Sequence, residues 1–310
     1  MGVVAVAGGT GGFGKTVVEQ LALSGKHDIV VFSRTAPAEQ AKDGPKFISA
    51  DYTNLDSLIK ILESQNIDTV ISTIGLHNEA TEKAQLNLIE AAKRSSKTKR
   101  FIPSEFGAMN TPEFAKIEPY ANVWLRAADA LKASGLEYTR FINGFFLDYW
   151  GMPYIKTYMP MYKFAFDMEN HKASIPGTGN EPLTVTYTVD VSRFIVRALD
   201  DKDWPEFSIV AGSDITLNEA LAKVEKVRGK KFNVTYDSEE KLKNNQSTVL
   251  LGYEGVAPDE VQWLDSMFGR MIIGGWLSMP KENRISEKHP DIIPLTVDEL
   301  LAKYWGAKSN

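Results

Sequence analysis

The first half of the chain alternates between short apolar runs and segments with helical periodicity. In the segment 54–65, for example, Leu55, Leu58 and Leu62 fall on one helical face. Short runs rich in Val and Ile are typical of strands that are buried on both faces of a parallel sheet. These runs cover residues 3–8, 29–33, 69–73, 100–104 and 138–142. Because strands alternate with helices, the chain is predicted to form an α/β fold with a doubly wound parallel sheet of the Rossmann type.

The first apolar run leads directly into a glycine-rich turn, 8-GGTGGFG-14, which is followed by a helical segment. Glycines permit a tight turn and let the backbone approach a pyrophosphate, while the helix supplies N–H groups and the positive end of its dipole. The order strand, glycine turn, helix favours dinucleotide binding, and a merely flexible loop is the alternative. The predicted cofactor contacts in this turn are Gly8, Thr10, Gly11, Gly12, Phe13 and Gly14.

The end of the second strand, 32-FSRT-35, indicates which dinucleotide binds. Proteins that prefer NAD place an acidic residue at this point, where it accepts hydrogen bonds from the ribose hydroxyls. Here the strand ends at Arg34, and a guanidinium pairs with a 2′-phosphate rather than with a diol. NADP is therefore the predicted cofactor, and an ordinary surface arginine is the alternative for Arg34.

Later strand ends at the same edge of the sheet supply further candidates. Asp51 and Tyr52 follow the third strand and are predicted to border the adenine. His77 follows the fourth strand and is a candidate catalytic residue, with an ordinary loop histidine as the alternative. The residues predicted to pass beside the nicotinamide ribose are Thr73, Ile74 and Gly75.

After residue 145 the regular alternation is lost, and residues 145–168 are crowded with Phe, Tyr and Trp. Two later helices are predicted to begin at capping boxes, in which a Thr is followed three residues later by a Glu, at 216–219 and 296–299. This loosened pattern indicates a second, smaller α+β lobe. We predict an NADP-binding Rossmann domain at 1–150, to which 183–212 returns, and a smaller substrate-binding lobe formed by 151–182 and 213–310.

Composition excludes several classes of function. The formal net charge of −5 argues against a nucleic-acid-binding surface. The chain has no cysteine, so cysteine–zinc sites and cysteine nucleophiles are excluded, and its four histidines lack metal-ligand spacing. No apolar run approaches the ~20 residues that span a bilayer, and no signal peptide is expected. We therefore expect a cytoplasmic protein that binds a small-molecule substrate but no metal, nucleic acid or membrane.

Four motifs together point to one family. They are 8-GGTGGFG-14, 99-KRFIPSEFG-107, 134-SGLEYTRFINGFF-146 and 174-SIPGTGNEPLTVTYTVDV-191. In these motifs the chain resembles the NmrA-like, isoflavone-reductase-like branch of the atypical short-chain dehydrogenases/reductases, and its fungal members most of all. The resemblance covers most of the chain and weakens near residue 235. It implies a Rossmann core with a small C-terminal lobe and NADPH as the cofactor. It also implies cofactor contacts from Ser104 and Glu105, with a turn that contacts no ligand as the alternative.

The chain departs from this family pattern at one position. In the plant reductases of the branch, a lysine on the helix after the Pro-Ser-Glu-Phe-Gly turn serves as general acid or base. Residues 117–135 are predicted to form that helix, and alignment through Ser134 and Gly135 puts the lysine position on Trp124. The Tyr-x-x-x-Lys pattern of ordinary short-chain dehydrogenases, anchored on Tyr120, also ends at Trp124. The resemblance therefore leaves Tyr120 and His77 as the catalytic candidates.

The missing lysine leaves three functional hypotheses. The favoured one is an NADPH-dependent reductase of a small aromatic, phenolic or conjugated carbonyl metabolite, because general acid catalysis is typically worth only about 10²–10⁴-fold. The second is a non-catalytic NADP(H)-binding redox sensor of the NmrA type with a regulatory protein partner, and the third is an isomerase or cyclase that retains NADP. The predicted substrate-binding residues are Trp124, Asn143, Phe145, Phe146, Tyr149 and Trp150, with core packing as the alternative for each ring.

Overall fold

The structure is a computed structural model, and it describes residues 2–35, 44–251 and 257–306. The strands of the first 142 residues are β1 (Val3–Ala7), β2 (Asp28–Ser33), β3 (Lys46–Ser49), β4 (Ile67–Ser72), β5 (Arg100–Ile102), β6 (Glu137–Tyr138) and β7 (Arg140–Ile142). The helices are α1 (Gly12–Ser24), α2 (Leu55–Ser64), α3 (Glu79–Arg94), α4 (Pro112–Ile117) and α5 (Asn122–Lys132), with a 3₁₀ turn at Pro119–Ala121.

The remaining chain contributes shorter elements. Its strands are β8 (Phe145–Phe146), β9 (Phe166–Asp167), β10 (Lys172–Pro176), β11 (Pro182–Thr186), β12 (Phe207–Ile209), β13 (Ser213–Thr216) and β14 (Asn233–Asp237). Its helices are α6 (Asp148–Gly151), α7 (Thr188–Ala198), α8 (Leu217–Arg228), α9 (Glu239–Lys243), α10 (Pro258–Ile273), α11 (Ile285–Lys288) and α12 (Val297–Tyr304).

A six-stranded sheet with the order β3-β2-β1-β4-β5-β6 is built from the first group of strands. Its neighbouring strands all run parallel. The central strand β1 pairs with both β2 and β4, so Ala7 lies opposite Phe32 on one side and Ser72 on the other. The predicted doubly wound sheet is confirmed. Its strand order switches between β1 and β4, and ligands of such sheets bind outside the carboxyl ends of the strands at this point.

Helices α2, α3 and α5 pack against one face of the sheet through a buried apolar core. Leu58 of α2, Leu88 of α3 and Leu131 of α5 are fully buried in this core. Polar caps fix where two of these helices begin: Asn54 accepts a hydrogen bond from the Ser57 N–H at the start of α2, and residues 78–81 form a capping box at the start of α3.

Two predicted elements differ from the structure. The helix predicted over 117–135 is interrupted: α4 ends at Ile117, a 3₁₀ turn follows, and α5 begins at Asn122. The reason is Pro119, which lacks an N–H and disfavours helical geometry in the residue before it. The strand predicted over 138–142 is divided at Thr139, because β6 belongs to the six-stranded sheet whereas β7 pairs with β12.

The chain divides into two compact units. Unit 1 comprises residues 1–106, 110–142 and 191–208, and unit 2 comprises 107–109, 143–190 and 209–310. This division differs from the predicted domain ranges at residues 107–109 and 209–212. It also differs over the longer stretches 143–150 and 183–190. These residues belong together in unit 2 because β8 pairs with β11, with Phe145 opposite Val185.

Unit 2 contains two small sheets, with the strand orders β14-β10-β9 and β13-β11-β8. The capping box predicted at Thr216 is present and opens α8, which ends at Gly229 in the left-handed conformation. The box predicted at Thr296 is also present and opens α12. Local polar signals therefore fix the boundaries of two helices in unit 2.

Candidate cofactor-binding edge and active site

The glycine turn after β1 packs too closely against its neighbours to accept side chains at two positions. Gly8 has φ +79°, and a Cβ there would lie 2.8 Å from the carbonyl oxygen of Thr73. A Cβ at Gly14 would lie 2.9 Å from the carbonyl carbon of Gly8 and 2.5 Å from Oγ1 of Thr73. At Gly11, by contrast, a Cβ would lie 3.6 Å from the Gly8 carbonyl oxygen, which is an ordinary contact. Gly8 and Gly14 therefore let the turn close against the end of β4.

The turn leads into the N-terminus of α1. Gly11 is the N-cap residue and offers no side chain to cap the helix, and the first turn of α1 contains no acidic residue. Thr10 and Gly11 are exposed, whereas Phe13 is buried. Backbone N–H groups at a helix N-terminus, together with the positive end of the helix dipole, suit an anion such as a pyrophosphate.

Arg34 lies exposed just beyond the end of β2. Its carbonyl oxygen accepts a 3.0 Å hydrogen bond from the Ser49 hydroxyl, and the neighbouring Ser33 hydroxyl donates to the Thr35 carbonyl at 2.7 Å. The adjacent glycine turn is tied to the same strand, because the Gly8 N–H donates to the Phe32 carbonyl. The backbone that carries Arg34 is thus fixed beside the glycine turn, while the guanidinium faces solvent.

Asp51 and Tyr52 occupy different environments after β3. The exposed Asp51 carboxylate accepts hydrogen bonds from the Thr53 hydroxyl and N–H, which hold the pKa of Asp51 below its usual value. The Tyr52 hydroxyl is buried beside the Gly8 N–H, and burial raises the pKa of this tyrosine. Asn87 on α3 fixes the Tyr52 backbone by donating to its carbonyl oxygen. Tyr52 therefore supports the glycine turn from within unit 1, and its predicted contact with adenine stays a prediction.

The loop after β4 lies directly against the end of β1. The Thr73 N–H and hydroxyl both donate to the Ala7 carbonyl, at 2.8 and 2.7 Å. Ile74 is half-buried and Gly75 exposed. The His77 ring folds back over Gly75, since a Cβ at Gly75 would lie 3.0 Å from Cδ2 of His77. The structure thus brings the loop residues predicted for the nicotinamide side next to the glycine turn.

The Ser-Glu-Phe-Gly turn after β5 is held from two sides within unit 1. The Ser104 N–H donates to the Gln85 side chain on α3 at 2.8 Å. The Glu105 carboxylate accepts two 2.5 Å hydrogen bonds from the Arg140 guanidinium. Both side chains are almost fully buried, at 1% and 4% exposure. Burial raises the pKa of Glu105, and the guanidinium bonds oppose that rise.

Three residues around this turn are absent from the sequence-based predictions: Gln85, Phe106 and Arg140. Phe106 packs on Phe13 at the start of α1, with ring centroids 4.4 Å apart. A signal for Arg140 exists in the sequence, because a charged residue inside the buried run 138–142 requires a partner of opposite charge. No comparable signal singles out Gln85, whose role depends on where the turn meets α3.

Tyr120 and Trp124 form a compact pair at the position of the family lysine. Their rings meet edge to face, with centroids 5.2 Å apart and planes at 87°. The Tyr120 hydroxyl donates to the carbonyl oxygen of Leu76, the residue before His77. Burial, and then the charge of Glu82, raises the pKa of Tyr120. The tyrosine is therefore neutral near pH 7, and it ties the loop after β4 to the start of α5.

Asn143 lies in unit 2 and is fully buried. Its N–H donates to the Gly107 carbonyl at 3.0 Å, and its carbonyl accepts from the Thr186 hydroxyl at 2.8 Å. Within the described residues, its side-chain oxygen has no hydrogen-bond partner. A buried amide oxygen without a partner is costly, so it is a candidate for a ligand or a water molecule.

The predicted substrate-binding aromatics of unit 2 differ in exposure. Phe145 and Trp150 are buried, whereas Phe146 and Tyr149 are half-buried. The Trp150 carbonyl accepts a 2.8 Å hydrogen bond from the indole of Trp305. The rings that pack around Phe145, with centroids 5.2 to 5.4 Å away, belong to Tyr149, Phe164 and Phe268. Phe145 and Trp150 thus lie in the aromatic core of unit 2.

The described residues contain neither a metal-binding group of side chains nor a membrane-spanning helix. No group of three or more His, Cys, Asp and Glu side chains in these residues has an arrangement that would hold a metal ion. Among the helices of the same residues, none is both long and apolar enough to cross a membrane.

The profile of the NmrA-like family matches residues 1–261. The oxidoreductase swnN of Metarhizium robertsii is 31% identical over the whole chain and 99% of its own length. The oxidoreductase BOA1 of Botryotinia fuckeliana is 36% identical over 74% of the chain and 77% of its own length. In fold, the chain is similar to a leucoanthocyanidin reductase from Vitis vinifera solved in complex with NADPH, with a TM-score of 0.74, 21% identity and coverage of 98% and 99%.

Proposed function

Because the chain belongs to the NmrA-like family, we propose that it is an NADPH-dependent reductase of a small aromatic, phenolic or conjugated carbonyl metabolite. The observation that carries the proposal is the closely packed glycine turn at the switch point of the sheet. Gly8 and Gly14 leave no room for side chains against the end of β4, and the turn opens α1 without a capping side chain. This arrangement suits a dinucleotide pyrophosphate.

The cofactor assignment follows from the residues around this turn. The exposed Arg34 would pair with the 2′-phosphate, and the loop of Thr73, Ile74 and Gly75 would border the nicotinamide ribose. In the Ser-Glu-Phe-Gly turn, Ser104 is the direct candidate. Both carboxylate oxygens of Glu105 already accept bonds from Arg140 and Asn110, so we assign Glu105 a supporting role rather than a cofactor contact.

The catalytic assignment must account for Trp124. NADPH supplies a hydride when it is bound, and hydride transfer depends on positioning as well as on acid–base help. Tyr120 keeps its proton near neutral pH because burial raises its pKa, and its hydroxyl orients the loop that carries His77. An indole cannot transfer protons. We therefore expect a substrate whose acceptor carbon is already polarised, with the proton supplied by water or by Tyr120.

The substrate-side residues of unit 2 divide by their exposure. Phe146 and Tyr149 retain exposed surface and are the candidates for touching the substrate, together with the unsatisfied side chain of Asn143. Phe145 and Trp150 are buried and would support these residues from the core. We accordingly assign cofactor binding to unit 1 and propose that unit 2 contributes substrate selectivity.

A non-catalytic NADP(H) sensor is the second candidate, and Trp124 is the observation that favours it. The indole stands where two related catalytic patterns have lysine, and Tyr120 is engaged with the Leu76 carbonyl. In a sensor, NADPH would bind without being oxidised. If the chain is such a sensor, we predict that it binds a regulatory protein partner.

The two functions are separated by adding NADPH and a panel of phenolic and enone compounds, and by following both cofactor binding and nicotinamide absorbance. A reductase oxidises NADPH in the presence of at least one compound. Tight binding without oxidation across the panel would favour the sensor. Trp124→Lys should raise turnover with acceptors that need a proton, whereas Trp124→Phe, a matched aromatic control, should not.

A further inference from the structure

We propose that the buried Glu105–Arg140 ion pair is a positioning device, which holds Phe106 against Phe13 and thereby sets the affinity for the nicotinamide half of NADPH. The inference rests on the proposed function and deepens it. It assigns Glu105, Arg140 and Phe106 roles that differ from direct contact with the phosphates.

The geometry of the pair fixes the orientation of the Glu105 side chain as well as its distance from Arg140. Arg140 donates from Nε to one carboxylate oxygen of Glu105 and from Nη2 to the other, both at 2.5 Å. Asn110 completes the arrangement, because its amide donates to Glu105 at 3.0 Å and its carbonyl accepts from Arg140 at 2.9 Å. A two-point contact of this kind leaves the Glu105 side chain a single orientation.

Stability alone is a weak reason for such a pair. Removing two charges from water costs several kcal/mol per ion, and well-packed apolar residues often hold a fold as well or better. What apolar residues lack is the fixed orientation of a fork-like contact. Because the Glu105 and Arg140 side chains are only 1% and 4% exposed, we infer that the pair is retained for the fixed orientation that it gives the turn.

Phe106 is the residue that the ion pair orients. It follows Glu105 directly, and the Ser104 N–H, one residue earlier, is fixed by Gln85, so both residues that precede Phe106 in the turn are held. The ring packs on Phe13 with 4.4 Å between centroids. Phe13 is the second residue of α1. A shift of the Ser-Glu-Phe-Gly turn would therefore displace the Phe106 ring from its contact with Phe13 at the start of α1.

The position of the turn in the sheet predicts which half of the cofactor would respond. The turn follows β5, on the far side of β4 from β1 and β2. In sheets of this order, the adenosine half of the dinucleotide lies over the side of the switch point that contains β1 and β2. The nicotinamide half lies over the other side, which contains β4 and β5. Adenosine binding should thus be independent of the ion pair.

The test compares two ligands on two double variants. Glu105→Leu/Arg140→Met replaces the pair with apolar side chains, and Arg100→Met/Glu137→Leu is the matched control. The Arg100–Glu137 pair joins the amino ends of β5 and β6, away from the Ser-Glu-Phe-Gly turn, with a 2.6 Å bond. The ligands are NADPH and adenosine 2′,5′-bisphosphate, with thermal unfolding as a check of folding.

We expect Glu105→Leu/Arg140→Met to bind NADPH at least about tenfold more weakly, equal to about 1.4 kcal/mol, with unchanged affinity for the bisphosphate. The control should change neither affinity. Wild-type affinities for both ligands, or an equal loss for both, would overturn the proposal. If that variant does not fold, Phe106→Leu must show the same NADPH-selective loss, and wild-type affinity there would also overturn it. Failure of the wild-type protein to bind NADPH would instead refute the proposed function.

Discussion

A methyl group at Gly14 tests the packing of the glycine turn most sharply. The Cβ of Gly14→Ala would lie 2.9 Å from the Gly8 carbonyl carbon and 2.5 Å from Thr73 Oγ1. Neither obstacle can rotate away, because Gly8 is tied to β2 through Phe32 and Thr73 is tied to β1 through two bonds to Ala7. The turn itself must therefore move. Gly11→Ala is the matched control, since its Cβ would make an ordinary 3.6 Å contact.

The size of the effect follows from the kind of obstacle. Overpacking typically lowers the free energy of unfolding by about 1–3 kcal/mol. Because the Gly14 Cβ would meet backbone atoms of Gly8, we expect Gly14→Ala to lose roughly 2–3 kcal/mol. At roughly 2–4 °C per kcal/mol for a unit of this size, Tm should fall by roughly 4–12 °C. Displacing the N–H groups of α1 should also weaken NADPH binding by about 100-fold, or about 2.8 kcal/mol. Gly11→Ala should lower Tm by at most a few degrees, because the N-cap already lacks a side-chain bond.

The assay is thermal unfolding without cofactor, combined with titration of NADPH against tryptophan fluorescence. Gly14→Ala should lose both stability and affinity. Gly11→Ala should lose affinity with little loss of stability, because its added methyl group would stand on the exposed side of the turn where the pyrophosphate is proposed to bind. Wild-type Tm and affinity in Gly14→Ala would refute the close packing of the turn against β4.

Three further changes test separate parts of the account. Arg34→Asp should weaken NADPH far more than NADH in parallel titrations, since it removes the partner proposed for the 2′-phosphate; equal weakening would sink that assignment. Burial raises the pKa of Asp265 to about 7, so the stability that its protonated form contributes should be lost as pH rises from about 4 through about 7; the stability of wild type relative to Asp265→Asn in urea unfolding should fall over this range, and parallel pH profiles for the two proteins would contradict the shift. Trp150→Leu should lower Tm, because the indole fills the core of unit 2 at 1% exposure, while leaving NADPH affinity unchanged; a selective loss of NADPH affinity would argue against a core role.

The parts of the fold that could be predicted are those set by local pattern. Strands β1, β2 and β4 follow from short Val- and Ile-rich runs, and the starts of α8 and α12 follow from Thr and Glu at a fixed spacing. The glycine turn was also predictable, because its position between a strand and a helix is a local property. The break at Pro119 is equally local, because proline lacks an N–H and disfavours helical geometry in the residue before it.

The features that could not be predicted depend on distant partners. Thr139 divides β6 from β7 because β7 pairs with β12, a strand more than sixty residues later. Glu105 was predicted as a cofactor contact from its motif, whereas the structure engages its carboxylate with Arg140. The four-residue spacing of Tyr120 and Trp124 makes them neighbours on helical geometry, but the bond from Tyr120 to Leu76 depends on how the loop after β4 folds.

Transfer of deuterium from NADPH that carries deuterium at both hydrogens of the reactive nicotinamide carbon distinguishes a reductase from a sensor. The protein is mixed with the labelled cofactor and each compound that accelerates NADPH oxidation, and the product is examined by mass spectrometry. Hydride transfer by a chain with Trp124 at the lysine position predicts one deuterium in each product molecule, and much slower formation of that product by Gly14→Ala at the same NADPH concentration. Saturable NADPH binding with no deuterium in any product would contradict a reductase.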